Sequence, residues 1–79
     1  EPRMALTDGA DGLSAYRAIT ASVAAHLAPG GRLMLEIGPT QGAAVRAMVQ
    51  AAGLGQVQVL PDLDGRDRVV TGTQPPGAP

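Results

Sequence analysis

An apolar run at residues 32–38, with the sequence Arg-Leu-Met-Leu-Glu-Ile-Gly, limits the folds open to this chain more than any other segment. Four large apolar residues fill five positions without alternating with polar ones. This pattern predicts a strand buried on both faces, which is typical of parallel sheets covered by helices. Such a strand needs neighbours on both edges, and 79 residues supply only part of them. The residues alone therefore predict that residues 32–38 form the most buried strand of the chain. They also predict that the chain is the end of a larger α/β sheet.

Amphipathic patterns on either side of this run predict two helices, near residues 12–28 and 40–52. Asp11 is the predicted N-cap of the first helix, Pro29-Gly30-Gly31 ends it, and Gly53 is the predicted C′ residue of the second. The apolar positions recur every three or four residues. They are Leu13, Tyr16, Ile19, Val23 and Leu27 in the first helix, and Ala44, Val45, Met48, Val49 and Ala52 in the second.

The rest of the chain predicts a terminal hairpin. Residues 56–60 alternate as a half-buried strand should, and residues 67–72 form the last predicted strand. Because the turn at residues 61–65 is short, these two strands are expected to pair antiparallel. Residues 73–79 have nothing to bury and are expected to be a disordered tail. The predicted fold is α/β, in the order helix, strand, helix, antiparallel terminal hairpin.

The composition argues against several classes of protein. The net charge is −1 with balanced signs, whereas nucleic-acid binding by electrostatics needs a basic face. Cysteine is absent and His26 is the only histidine, which excludes disulfides and zinc sites built from His and Cys. No apolar stretch approaches the ~20 residues of a membrane span. The lack of cysteine and of a visible targeting segment favours a cytoplasmic protein.

Glu36 is the most informative charge, because it interrupts the apolar strand near its carboxyl end, where ligands bind in open α/β sheets. Two interpretations stay open: a carboxylate that contacts a ligand, and the favoured structural acid that accepts hydrogen bonds from loop N–H groups. Gln41, in the first turn of the next helix, is a second and weaker candidate for a polar contact beside Glu36.

The other residues singled out by the sequence are expected to have structural rather than catalytic roles. His26 lies near the end of an Ala-rich helix and is expected to be solvated or to interact with the helix dipole. Gly30-Gly31 is interpreted as a turn rather than a phosphate loop. Charges of both signs crowd the hairpin, which predicts a solvated, locally paired turn; they are Asp62, Asp64, Arg66, Asp67 and Arg68.

A series of short motifs runs along residues 1–72. They are Glu1-Pro2, Asp11-Gly12-Leu13, Leu27-x-Pro29-Gly30-Gly31, Leu35-Glu36-Ile37-Gly38-x-x-Gln41 and Asp67-Arg68-Val69-Val70-x-Gly72. In this order and at these spacings, they resemble the carboxyl-terminal part of the HemK-type peptide chain release factor glutamine methyltransferases. The first residues, Glu1-Pro2-Arg3, include no initiator Met, which fits a chain cut from a longer one.

The resemblance implies an enzyme that moves a methyl group from S-adenosylmethionine to the glutamine amide of the Gly-Gly-Gln loop in release factors. It implies a Rossmann-like class I methyltransferase sheet, of which residues 1–72 would be the carboxyl-terminal half. Residues 32–38, 56–60 and 67–72 would be its fifth, sixth and seventh strands, with the seventh between the other two.

The same resemblance implies that the family's glycine-rich cofactor loop, ribose-binding acid and Asn-Pro-Pro-Tyr motif lie upstream of Glu1. No catalytic, cofactor-binding or metal residue is therefore assigned, and Glu1-Pro2 is given only a loop-positioning role. The 79-residue chain alone is expected to be inactive, and either to be marginally stable or to self-associate through an unpaired strand edge. The alternative is a free-standing α/β interaction module without enzymatic activity.

Overall fold

The computed structural model describes residues 12–76. Glu1-Pro2 and Asp11 lie outside the described residues, but the prediction that Asp11 is the N-cap is wrong, because the first helix begins at Ser14 with Leu13 in the N-cap position. Within them, the predicted order of elements is confirmed, and no boundary differs by more than two residues from the predicted one. The elements are α1 (Ser14–His26), β1 (Arg32–Glu36), α2 (Gly42–Ala51), β2 (Gly55–Pro61) and β3 (Asp67–Thr73).

The three strands form one sheet in the order β1-β3-β2. Both β1 and β2 run antiparallel to β3, so they are parallel to each other. The hairpin pairing predicted for the last two strands is confirmed. β3 lies between the other two strands, which is the arrangement that the resemblance implies for these segments.

Both helices pack on one face of this sheet. The strand register sets that face, because Leu35 and Val59 both lie opposite Val70 and side chains at opposed positions share a face. A single apolar cluster joins the helices to it. Its buried members are Leu13, Val23, Leu35, Ile37, Val45, Val49, Leu54 and Val70. The predicted helical stripes are thus confirmed, except that Ile19 is 40% exposed.

The other face of the sheet is called the open face here, because no helix formed by residues 12–76 covers it. It carries Arg32, Met34 and Glu36 from β1, Gln58 and Leu60 from β2, and Val69, Thr71 and Thr73 from β3. The prediction that residues 32–38 form the most buried strand is wrong. Only Leu35 is buried within β1, whereas three consecutive residues of β3 are buried. β3 is more buried because it has a strand on each side, while β1 has β3 on one side alone.

Two predicted chain reversals are confirmed in detail. After α1, the Gly31 N–H donates to the Ala28 carbonyl at 2.8 Å, and Gly30 lies between them at φ +80°. After α2, the Gly53 N–H donates to the Gln50 carbonyl at 3.0 Å, with Gly53 at φ +95°. Both glycines occupy left-handed backbone that a side chain would strain.

Of the tail predicted over residues 73–79, Thr73 ends β3 and Gln74 is hydrogen-bonded, so these two residues are ordered, while residues 77–79 lie outside the described residues. The Gln74 backbone exchanges hydrogen bonds with Gly30 and Gly31 at 2.9 and 2.8 Å. Its side-chain Nε2 donates to the carbonyls of Ala24 and Leu27 at 2.8 and 2.9 Å. These two carbonyls lie in the last turn of α1 and just beyond it, so Gln74 caps the carboxyl end of that helix.

We expect Gln74→Ala to lower the free energy of unfolding by about 1–2 kcal/mol, because two carbonyls lose their donor. Urea unfolding followed by circular dichroism measures the change. Gln50→Ala is the matched control, since Gln50 is exposed on α2 and its removal is expected to cost less than about 0.5 kcal/mol. Equal midpoints for the two variants would contradict the capping role of Gln74.

Candidate functional site

The candidate site lies at the carboxyl end of β1, where the chain turns into α2. Gln41, the N-cap residue of α2, holds this turn with its side chain. Its Oε1 accepts a hydrogen bond from the Gly38 N–H at 2.8 Å, and its Nε2 lies 3.5 Å from the Gly12 carbonyl. Gln41 thus connects the turn after β1 to the segment that precedes α1.

Tyr16 fixes the same region from the helix side. Its hydroxyl donates to the backbone carbonyl of Glu36 at 2.7 Å and lies 3.5 Å from Gln41 Oε1. The Ile37 N–H donates to the Arg68 carbonyl at 2.9 Å on the side of β3. The backbone at the end of β1 is therefore held from two sides, by α1 and by β3.

The carboxylate of Glu36 is exposed on the open face, next to this fixed backbone. Among the described residues, its side chain has no hydrogen bond or ion pair. The favoured interpretation of Glu36 as a structural acid is wrong in this respect, because the Gly38 N–H of the loop bonds to Gln41 instead. The position of Glu36 at the strand's carboxyl end is as predicted, and its carboxylate is accessible to a ligand.

His26 is solvent-exposed at the end of α1, as its position in the sequence predicts. It is the last residue of α1, it is exposed, and its Nδ1 lies 2.9 Å from the Ser22 carbonyl.

The hairpin turn is organised by Asp62 rather than by ion pairs. Asp62 Oδ1 accepts the N–H groups of Asp64 and Arg66 at 2.8 and 3.1 Å. Gly65 lies at φ +81°, and its N–H donates to the Asp62 carbonyl at 3.0 Å. The predicted solvated turn is confirmed, and its local pairing runs through the backbone. Asp62 therefore satisfies several backbone N–H groups within the turn itself.

Two other kinds of site are absent from the described residues. Within residues 12–76, no group of three or more His, Asp or Glu side chains is arranged to hold a metal ion. None of the helices described is long and apolar enough to cross a membrane.

The contribution of Gln41 was only partly predicted from the sequence. Its place in the first turn of α2 marked it as a companion of Glu36, but its bond to the Gly38 N–H was not foreseen. A signal was present, because a Gln three residues after a glycine can close a turn through its side chain. The link from Tyr16 had no local signal, since it joins residues 20 positions apart.

Known proteins with similar sequences agree on one activity. The chain is 63% identical to a release factor glutamine methyltransferase of Cereibacter sphaeroides over 75 residues, which is 95% of this chain. It is 52% identical to the protein of that name in Xylella fastidiosa, over the same share of the chain. It is 46% identical to that of Caulobacter vibrioides over 96% of the chain. No family profile matches.

These relatives are methyltransferases, so the chain is homologous to a stretch of an enzyme of that class. More narrowly, it is a relative of the release factor glutamine methyltransferases, which confirms the resemblance carried by the motif series. The chain spans about a quarter of the length of these relatives, since it covers 27% of the Cereibacter protein and 26% of the Caulobacter protein.

Proposed function

We propose that this chain forms one side of an S-adenosylmethionine-dependent methyltransferase domain that methylates a glutamine amide in peptide chain release factors. The observation that carries the proposal is the antiparallel insertion of β3 between the parallel strands β1 and β2. This order supports β1, β2 and β3 as the fifth, sixth and seventh strands of a Rossmann-like class I sheet. We expect the activity in the cytoplasm.

The contribution of this chain to such a domain is structural support at the carboxyl edge of the sheet. Gln41 and Tyr16 fix the backbone there, and the exposed carboxylate of Glu36 extends from it. A fixed backbone matters because a reacting group must be held to within a fraction of an ångström. Glu36 and the turn after it would form part of the wall beside the substrate.

S-adenosylmethionine itself does not fit the described residues. The turn after β1 offers no free cradle of N–H groups, because the Gly38 N–H is already bonded to Gln41 and the Gln41 N–H to the Gly38 carbonyl. The residues that would hold the cofactor in the family have no counterparts among the motifs of this chain.

We expect the 79-residue chain to show no binding of S-adenosylmethionine in a calorimetric titration, and no methyl transfer. The Cereibacter relative, titrated in parallel, is the positive control. Saturable micromolar binding by the isolated chain would contradict this prediction.

A chimeric enzyme tests the function. The chain replaces the 75 matched residues of the Cereibacter relative, and mass spectrometry of a release factor measures methylation of its Gly-Gly-Gln glutamine. The expected result is a folded chimera that adds one methyl group. The relative without the matched stretch is the inactive control. A folded chimera that binds the release factor without methylating it would overturn the proposal.

A second candidate function, a free-standing interaction module, is favoured by one observation. The outer edge of β1 pairs with no strand formed by residues 12–76, and exposed edges can bind a partner's strand. Sedimentation and thermal melting separate the two candidates. A monomer that melts cooperatively above about 60 °C would favour the module, because it would show a self-sufficient fold.

A further inference from the structure

Leu63, at the tip of the hairpin formed by β2 and β3, is a large apolar side chain that residues 12–76 leave fully exposed. Its exposure is 106%, whereas the other exposed large apolar side chains, Ile19, Met34 and Leu60, are 39–65% exposed. Single exposed apolar residues are common on protein surfaces, so exposure alone assigns no role to Leu63. The hydrogen bonds that hold its turn, and its position at the edge of the sheet, distinguish it from an ordinary surface residue.

The turn that carries Leu63 is closed by backbone hydrogen bonds around it. The Asp62 N–H donates to the Arg66 carbonyl at 2.8 Å, and the Gly65 N–H donates to the Asp62 carbonyl at 3.0 Å. The Asp62 carboxylate accepts two further N–H groups of the same turn. None of these bonds involves Leu63, and the second position of such a turn accepts most residues. The fold therefore does not require leucine at position 63, but it holds that residue in a defined place.

The hairpin extends past the end of the neighbouring strand β1. β1 ends at Glu36, opposite Val69, so residues 61–67 of the hairpin continue beyond it. Because β1 and β2 are parallel, this extension lies at the same edge of the sheet as the candidate site. A protein whose reacting group approaches this edge would therefore also meet the hairpin tip.

We propose that Leu63 is a docking contact for the release factor, and that it inserts into an apolar pocket of that protein while the substrate glutamine reaches this edge of the sheet. This inference rests on the function proposed above. The release factor is the occupant because of position, since the protein that reacts at this edge would contact the turn that projects from it. A turn that is already formed loses little conformational entropy on binding, which favours a rigid anchor of this kind.

The charges around Leu63 define the rim of the pocket that it would enter. The hairpin turn and the end of β1 carry four carboxylates and two guanidinium groups, a formal net charge of −2. They are Glu36, Asp62, Asp64 and Asp67, and Arg66 and Arg68. Complementary charge across an interface selects the partner and speeds the encounter. The fitting surface is therefore an apolar pocket with basic side chains at its rim.

Leu63→Ser in the chimera described above tests the contact. We expect the KM for the release factor to rise at least about tenfold, because burial of a leucine side chain contributes that much to binding. The kcat and the KM for S-adenosylmethionine should not change, since the contact is the same in the ground state and the transition state. The melting midpoint should also stay constant, because a fully exposed side chain supports no packing.

Two control variants of the chimera show whether the effect belongs to this side chain. Leu63→Met keeps an apolar side chain of similar volume and should restore the KM to within about threefold of the unchanged chimera. Ile19→Ser removes another exposed apolar side chain, on α1, and should leave the KM for the release factor unchanged.

Competition gives a second measurement that does not need an active chimera. An excess of the 79-residue chain should inhibit methylation of the release factor by the Cereibacter relative, because the chain occupies the same pocket. The Leu63→Ser chain should inhibit at least about tenfold more weakly, and the Ile19→Ser chain should inhibit as well as the unchanged one.

The outcomes separate the docking contact from the proposed function. An unchanged KM in an active chimera, with equal inhibition by the two chains, would overturn the contact and leave the methyltransferase assignment standing. A folded chimera without activity, whose calorimetric affinity for the release factor still falls about tenfold in Leu63→Ser, would uphold the contact and overturn the assignment. Self-association of the chain that Leu63→Ser abolishes, with the KM unchanged, would assign Leu63 to a contact between copies and overturn the proposal.

Discussion

Gly72→Ala is expected to lower the free energy of unfolding by about 1–3 kcal/mol, although it adds a single methyl group. Gly72 lies on β3, directly under α2. A Cβ at this position would lie 2.7 Å from Val49 Cγ1 and 3.1 Å from Leu54 Cδ2. Val49 is fully buried and Leu54 is 5% exposed, so neither side chain can move aside without displacing the core. Urea unfolding measures the loss.

Two companion variants identify the cause of this loss. In a Val49→Ala background, Gly72→Ala should cost clearly less, because the closest clashing methyl group is gone. Gly55→Ala is the control for glycine removal in a strand, since a Cβ there would meet nothing within 4 Å. If Gly55→Ala and Gly72→Ala lose equal stability, close packing under α2 is not the reason for glycine at position 72.

Gly42→Ala should also destabilise the protein by about 1–3 kcal/mol, against the expectation from helix propensity. Alanine in a helix is about 1 kcal/mol better than glycine, so propensity alone predicts a gain. Gly42 is the first residue of α2 and is buried against the hairpin. A Cβ there would overlap the carboxylate of Asp67 and lie 3.2 Å from Val59 Cγ1.

The experiment depends on whether Gly42→Ala lowers or raises the free energy of unfolding. Ala47→Gly, at an exposed position of the same helix, should show ordinary propensity and lose about 1 kcal/mol. In an Asp67→Ala background, much of the loss from Gly42→Ala should disappear, because the carboxylate no longer occupies the space. A stabilised Gly42→Ala single variant would contradict the close approach of Asp67 to α2.

Local patterns predicted the elements of the fold well. The spacing of Leu13, Tyr16, Val23 and Leu27 fixed the buried side of α1, because a helix brings residues three and four apart onto one face. Gly53 was predicted to end α2 for an equally local reason, since its positive φ needs no distant partner. The hairpin followed from the short turn between two strand patterns.

Burial and long-range hydrogen bonds could not be predicted in this way. The unbroken apolar run around Met34 predicted cover on both faces, yet the layer that would cover the open face is not formed by residues 12–76. Gln74 binds carbonyls 47 and 50 positions earlier in the chain, and no local pattern reveals such partners. At the candidate site, the sequence located Glu36 at the end of the strand. It did not show that Gln41, rather than Glu36, accepts the hydrogen bond from the Gly38 N–H.

The position of β3 at the centre of the sheet has a consequence for the order of folding during synthesis. Among the strands formed by residues 12–76, β1 and β2 do not pair with each other, and each hydrogen-bonds to β3, which follows both of them in the chain. None of the strand pairings among residues 12–76 can therefore form on the ribosome before residues 67–73 have emerged. Until then the edges of β1 and β2 that face β3 lack their partner strand, and unpaired strand edges favour aggregation of a nascent chain. A premature stop before Asp67 would remove one short strand and, with it, both of the strand pairings that residues 12–76 form.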